Sequence, residues 1–169
     1  MMQPQPDWLW RENQGKLELA GRGFCHQTHF SVGQGWSAPF SVEDVELFGF
    51  FQHQLCHYFC DEASTLAASL DAVAAVKQPW PACRGFWFDY LQSTLCDVGM
   101  LVQLCGQHPA SGLVIAQTDL NALVLLLHPI VTLQGKSIAH GQVVQVPFNR
   151  LRPLAINPPN LQPAFSRSA

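Results

Sequence analysis

Apolar and polar residues alternate at the start of the chain. "WLWRE" (8–12) and "KLELA" (16–20) flank the turn-forming "NQG", which is the pattern of a β-hairpin. "GFCHQTHF" reads as a third strand after "AGRG", and "SVGQGWSAP" as a loop rich in Gly and Ser. The period then lengthens. In "FSVEDVELFGFFQHQLCHYFC", Val45, Phe48, Phe51 or Gln52, Leu55 and Phe59 recur at helical spacing. Ser41 with Asp44 three residues on predicts a capping box built with the shorter acid, and Phe40 before it a hydrophobic staple. Asp61 and Glu62 interrupt. "STLAASLDAVAAVK" predicts a second helix that stops at Lys77, because "QPWP" cannot continue it.

From residue 84 the pattern is strand after strand: "GFWFDYL", "VGMLVQLC", "GLVIAQ", "ALVLLL", "IVTL", "QVVQVPF" and "RLRPL". Short strands at such regular spacing predict a small barrel or sandwich. The end, "NPPNLQPAFSRSA", has little to bury and reads as a mobile tail. The fold class expected is α+β in two domains. Residues 1–94 form an N-terminal α/β domain of antiparallel strands with two helices, 95–156 a C-terminal β domain, and 157–169 the tail.

Composition and charge sharpen that division. Sixteen of the eighteen aromatic residues precede residue 91. Residues 1–98 carry a balance of −6, whereas residues 99–169 carry +3, from Lys136, Arg150, Arg152 and Arg167 against Asp119. Apolar residues make up 48% of the 169 and charged residues 12%, enough to build a core. A net charge of −3 argues against nucleic acid or an anionic membrane as a general partner. "NALVLLLHPIVTL" is broken by His128-Pro129 and too short to span a bilayer. With no signal-peptide pattern, the expected compartment is the cytoplasm, and the six cysteines are expected to be reduced.

One stretch invites chemistry. "HQLCHYFC" places His53, Cys56, His57 and Cys60 at helical spacings of three and four, and histidine and thiolate are zinc's preferred ligands. A helix rises about 1.5 Å per residue, so its ends lie roughly 10 Å apart, too far for one ion to gather all four. A zinc-binding module would need Cys25, His26 and His29 of "CHQTH" as further ligands. The alternative is one face of a core helix, with soft side chains beside phenylalanines. A thiol enzyme is a third reading, in which His53 or His57 activates Cys56 or Cys60.

The hairpin "WLW…KLELA…GFC", the helix start "FSVEDVELF", the strand "CRGFWF" and, most closely, "NALVLLLHPIVTLQGKSIAHGQVVQVPFNRLRPL" (121–154) resemble the ZapC family of Z-ring-associated division proteins. The resemblance covers nearly the whole chain, is weakest at 31–39 and 50–62, and contains no catalytic signature. It implies an N-terminal α/β domain, a C-terminal barrel similar to a tudor domain, and no enzymatic activity or cofactor. It also implies a cytoplasmic protein at the midcell Z-ring. Such a protein binds FtsZ, promotes lateral association of FtsZ filaments, stabilises the ring and lowers FtsZ GTPase activity. Against that background Lys136, Arg150 and Arg152 are candidate contacts to an acidic FtsZ surface. Trp8, Trp10, Phe24 and Trp87 are candidates for an apolar pocket that takes a segment of FtsZ, with Lys77 and Arg84 near its rim. A methyl-lysine cage is disfavoured for the C-terminal half, which has Phe148 and Phe165 but no Trp or Tyr after residue 90. Bundling needs two FtsZ sites per chain or self-association, and a monomer with two sites is the expectation.

Overall fold

The computed structural model describes residues 2–77, 88–91 and 96–155, together with the backbone of 83–84. The expected tail, Trp87 and much of "GFWFDYL" lie outside these residues.

The alternating start folds as read. Strands β1 (Leu9–Asn13), β2 (Lys16–Gly21) and β3 (Phe24–Ser31) run antiparallel. Gln14 and Gly15 join the first two with φ of 53° and 76°, the left-handed pair that suits strand twist in a two-residue turn. The end of the expected loop pairs instead with β1 as β4 (Ser37–Pro39), giving the sheet order β3-β2-β1-β4. In β3 the register slips. Lys16 faces Ser31 but Glu18 faces Gln27, so Leu17 opposes three residues, Thr28 to Phe30. The Thr28 hydroxyl bridges this bulge by donating to the Leu17 carbonyl at 2.9 Å.

Helix α1 (Val42–Leu55) opens with the expected capping box. The Ser41 hydroxyl accepts from the Asp44 amide at 3.2 Å, and the Asp44 carboxylate accepts from the Ser41 amide at 2.8 Å. Phe40 packs on Trp8 and Phe48, with ring centroids 5.3 and 6.5 Å away. Helix α1 stops earlier than the period implied: Cys56 is its C-cap, and 56–61 form a turn into α2 (Glu62–Lys77). The Asp61 carboxylate accepts from the Ser64 amide at 2.7 Å at the start of α2. "HQLCHYFC" is therefore a helix end and a connector, not one continuous helical face.

Six strands form the second sheet: β5 (Cys83–Arg84), β6 (Leu101–Cys105), β7 (Pro109–Gln117), β8 (Asn121–Leu126), β11 (Val143–Pro147) and β12 (Arg152–Pro153). Their order is β12-β6-β7-β8-β11-β5, antiparallel except where β5 runs parallel to β11. Between β8 and β11, the short strands β9 (Ile130–Val131) and β10 (Ser137–Ile138) pair with each other. The strand pattern predicts a small barrel or sandwich, and the resemblance implies a tudor-like barrel. Among the described residues the sheet is open, with β12 and β5 at its edges.

The reason lies in how its two faces are used. Successive strand residues point to opposite faces. Leu101, Leu113, Leu123 and Leu125 join the core that also holds Trp10, Leu19, Phe48, Phe51 and Leu70. Val102, Leu104, Val114, Val124 and Val144 join a second core on the other side, with Ile130, Ile138 and Leu151. A sheet buried on both faces reads as a continuous apolar run, as "ALVLLL" does. Helix α2 lies between the sheets and touches β3, β7 and β8. It buries Ser69 to Ala75 without a break, because neighbours cover it on several sides. The first core thus draws residues from both sides of position 94. No helix among the described residues is long and apolar enough to cross a membrane.

Candidate functional site

The candidate apolar residues sit in a packed aromatic cluster. Trp8 stacks on Phe24 at 5.4 Å between centroids and meets Phe48 edge-on at 5.9 Å. Trp10 lies 5.8 Å from Phe40. Gly21 sits directly beneath Trp8, where a Cβ would fall 2.5 Å from the indole Cδ1, so only glycine lets the ring lie this close. Trp8 and Trp10 are 4% and 0% exposed, and Phe24 is half-buried at the edge of the cluster. Trp87 lies outside the described residues.

The basic candidates separate into different roles. Lys77 donates to both carboxylate oxygens of the almost fully buried Asp44 at 2.6 Å, which locks the end of α2 to the start of α1. Trp10 Nε1 donates to the same carboxylate at 3.2 Å. Lys77 is thus a structural cation. The Arg150 guanidinium donates to the Phe88 carbonyl and lies 5.0 Å over the Tyr90 ring, whose hydroxyl accepts from Asn149 at 2.8 Å. Arg152 is exposed and donates to the Gln103 side-chain carbonyl. Lys136 is exposed on the turn between β9 and β10. For Arg84 only the backbone is described.

A cavity of about 240 Å³ opens where β3, α2 and the loop before β11 meet, lined by His26, His29, Phe59, Asp71, Leu127 and His140 among others. Asp71 projects from the buried face of α2, and its Oδ1 lies 2.8 Å from His26 Nε2. His29 meets His140 edge-on at 5.0 Å. Beneath it Gly141 packs so closely that a Cβ would fall 2.3 Å from His29 Cδ2. Partial burial holds the His29 pKa below its ordinary value, opposed by the Asp71 charge and helped by His140, Lys16 and His26. A histidine held by a carboxylate can act as a general base. Ser64 also lines the cavity, but its amide and hydroxyl both turn to Asp61.

This cluster replaces the one the sequence offered for zinc. Among the described residues no three His, Cys, Asp or Glu side chains are placed to hold a metal ion. His26 is engaged with Asp71, His29 with His140, and His53 with His57 at 6.0 Å between rings. The Cys56 thiol donates to the backbone carbonyl of His53 at 3.1 Å rather than to an imidazole, so Cys56 is not paired with a base here. Asp71 and His140 carry no local signal of partnership. Asp71 reads as one polar position in an Ala-rich helix, and His140 as part of a loop.

The cysteines differ in access, which gives a measurable expectation. Cys25 and Cys60 are exposed. Cys96 is fully buried, and that burial pushes its thiol pKa up, with Asp97 adding to the effect. In a short alkylation pulse on native protein, mapped by peptide mass, Cys25 and Cys60 should label first. Cys96 should lag by roughly a hundredfold, because the thiolate is the nucleophile and access requires local opening. Equal labelling would show that the second core does not close around Cys96.

No protein-family model matches the chain. It is 35% identical over 168 residues to the cell division protein ZapC of Shewanella oneidensis, an alignment that covers 91% of this chain and 94% of that relative. Identity at this level over nine-tenths of both chains settles the relationship: the chain belongs to the ZapC family of cell division proteins.

Proposed function

We propose that this chain is a non-enzymatic division protein that binds FtsZ, promotes lateral association of its filaments, stabilises the Z-ring and lowers FtsZ GTPase activity. It acts in the cytoplasm at midcell. Family membership carries the reading. In this proposal residues 1–94 and 95–156 act as two units, the second similar to a tudor domain. Each offers FtsZ a contact, as a monomeric bundling protein requires. The cationic contact is Arg152 with Lys136 and Arg150, in the half of the chain that carries positive charge. The apolar contact is at the Phe24 edge of the aromatic cluster, where a ring remains half-buried.

Sedimentation of FtsZ with GTP tests this directly: the protein should enter the pellet with the polymer and increase the pelleted mass. Absence of co-pelleting would overturn the reading. Arg152→Glu should weaken association by roughly fivefold, since reversing one rim charge is worth about 1 kcal/mol, and the effect should shrink as salt rises. Arg152 is the informative position because it is exposed, whereas Arg150→Glu also releases Phe88 and Tyr90. Unchanged pelleting of Arg152→Glu would leave that strand as an ordinary solvated edge.

A further inference from the structure

The histidine cluster joins three parts of the fold that are distant in sequence. His26 and His29 belong to β3, Asp71 to α2, and His140 to the loop before β11. In a regular strand, residues three apart face opposite sides. Burial along β3 keeps to that rule, with His26 half-buried and His29 exposed, and both line one cavity because β3 is the edge strand of its sheet. The two have unlike partners. His26 faces a buried carboxylate at 2.8 Å, whereas His29 faces another imidazole at 5.0 Å. The charged and titratable groups around His29 are Asp71 from α2, His140 from the loop, Lys16 from β2 and His26 from its own strand. Lys16 Nζ donates to the His29 carbonyl at 3.0 Å, so a fixed positive charge is already present.

We propose that β3, α2 and the loop before β11 form an acid-sensitive latch, in which protonating His29 and His140 drives the loop off β3 while protonated His26 stays bound to Asp71. Acid acts on the two halves in opposite senses. A proton on His26 completes an ion pair with Asp71. His29 and His140 are both exposed, so water screens part of the effect, but protons on both place two like charges about a ring's width apart beside Lys16. Asp71, which also attracts a charge on His29, is held by His26. His29 binds its proton less readily in the closed form than in an open one. Acid therefore favours opening, and the closed form is fully stable only above the ordinary histidine range. The loop has its own reporters: the Gly141 amide donates to the Leu126 carbonyl at 2.8 Å, and the Leu126 amide to Gln142 at 2.9 Å.

Amide exchange measured by NMR on the whole protein tests the latch, in chelator so that stray metal plays no part. Protection factors, which remove the intrinsic pH dependence of exchange, are compared at about pH 7.5 and 5.5. Gly141 protection should fall by roughly three- to tenfold at the lower pH. Amides at the centre of α2 should hold. His140→Gln and His29→Gln should each remove most of that fall, and neither replacement creates a buried charge. The proposal is overturned by unchanged Gly141 protection in the unaltered chain, or by an equal fall in both glutamine variants. Loss of protection throughout the fold would overturn it as well, since that is general acid unfolding rather than a local latch.

Discussion

Asp44→Ala should lower folding stability by about 3 kcal/mol, because removing one partner of a buried ion pair strands the other and the helix cap is lost with it. One carboxylate serves three distant groups: the Ser41 amide that starts α1, the Trp10 indole in the core of the first sheet, and the Lys77 ammonium at the end of α2. Alanine leaves the indole N–H without its acceptor in a buried site. Lys77 limits the damage, since its side chain is 25% exposed and can turn to water. Against a typical total of 5–15 kcal/mol, such a loss lowers Tm by roughly 6–12 °C in a chain this long. Urea denaturation followed by tryptophan fluorescence would measure it. Lys77→Met should cost a comparable amount, because it leaves the buried carboxylate with two donors but no counter-charge. Combined with Asp44→Asn it should show coupling, a double loss smaller than the sum of the singles. A loss below about 1 kcal/mol for Asp44→Ala would reduce the network to a solvated helix cap.

That network also shows what the sequence discloses and what it withholds. The capping box is a three-residue pattern, legible because its partners are neighbours along the chain. Lys77 and Trp10 lie 33 and 34 positions from Asp44, and nothing local announces them. The same limit explains β5, whose parallel pairing joins Cys83 to Val144 across the chain. It also explains "HQLCHYFC". Periodicity continues past Leu55, but Tyr58 is drawn toward His128 at 3.3 Å and Asp61 starts a new helix, so tertiary partners end α1 where no Gly or Pro does. Lys77 is the sharpest lesson for the site. Beside a proline-rich break it reads as a cation at the rim of a pocket, yet its carboxylate partner lies inside. The alternation that marked Trp8 and Trp10 as pocket candidates puts them on one face, in one buried cluster. It could not say whether that face is open or filled, because Phe40, Phe48 and Gly21 close on it from elsewhere.

Leu125→Ala and Val124→Ala are adjacent substitutions in β8, and both should be costly. In a sheet with one wet face, one of any two neighbours points to water, and its truncation falls within about 0.5 kcal/mol. Here Leu125 is 1% exposed in the core shared with the first sheet and helices, and Val124 is 0% exposed in the second core. Leu125→Ala should cost about 3 kcal/mol and Val124→Ala about 2, from lost transfer energy plus an incompletely collapsed cavity. Urea midpoints at constant m-value would measure each, and a near-neutral Val124→Ala would mean the second core is wet. The two sites report different things. Leu125 shares its cluster with Trp10, so tryptophan fluorescence and far-ultraviolet circular dichroism should lose signal at the same urea concentration. A tryptophan transition that precedes the loss of strand signal would make the two halves separate folding units. Coincident transitions would mean that helix α2 and the residues on either side of position 94 fold as one. The boundary between the proposed FtsZ contacts would then be a division of surface and charge, not of core.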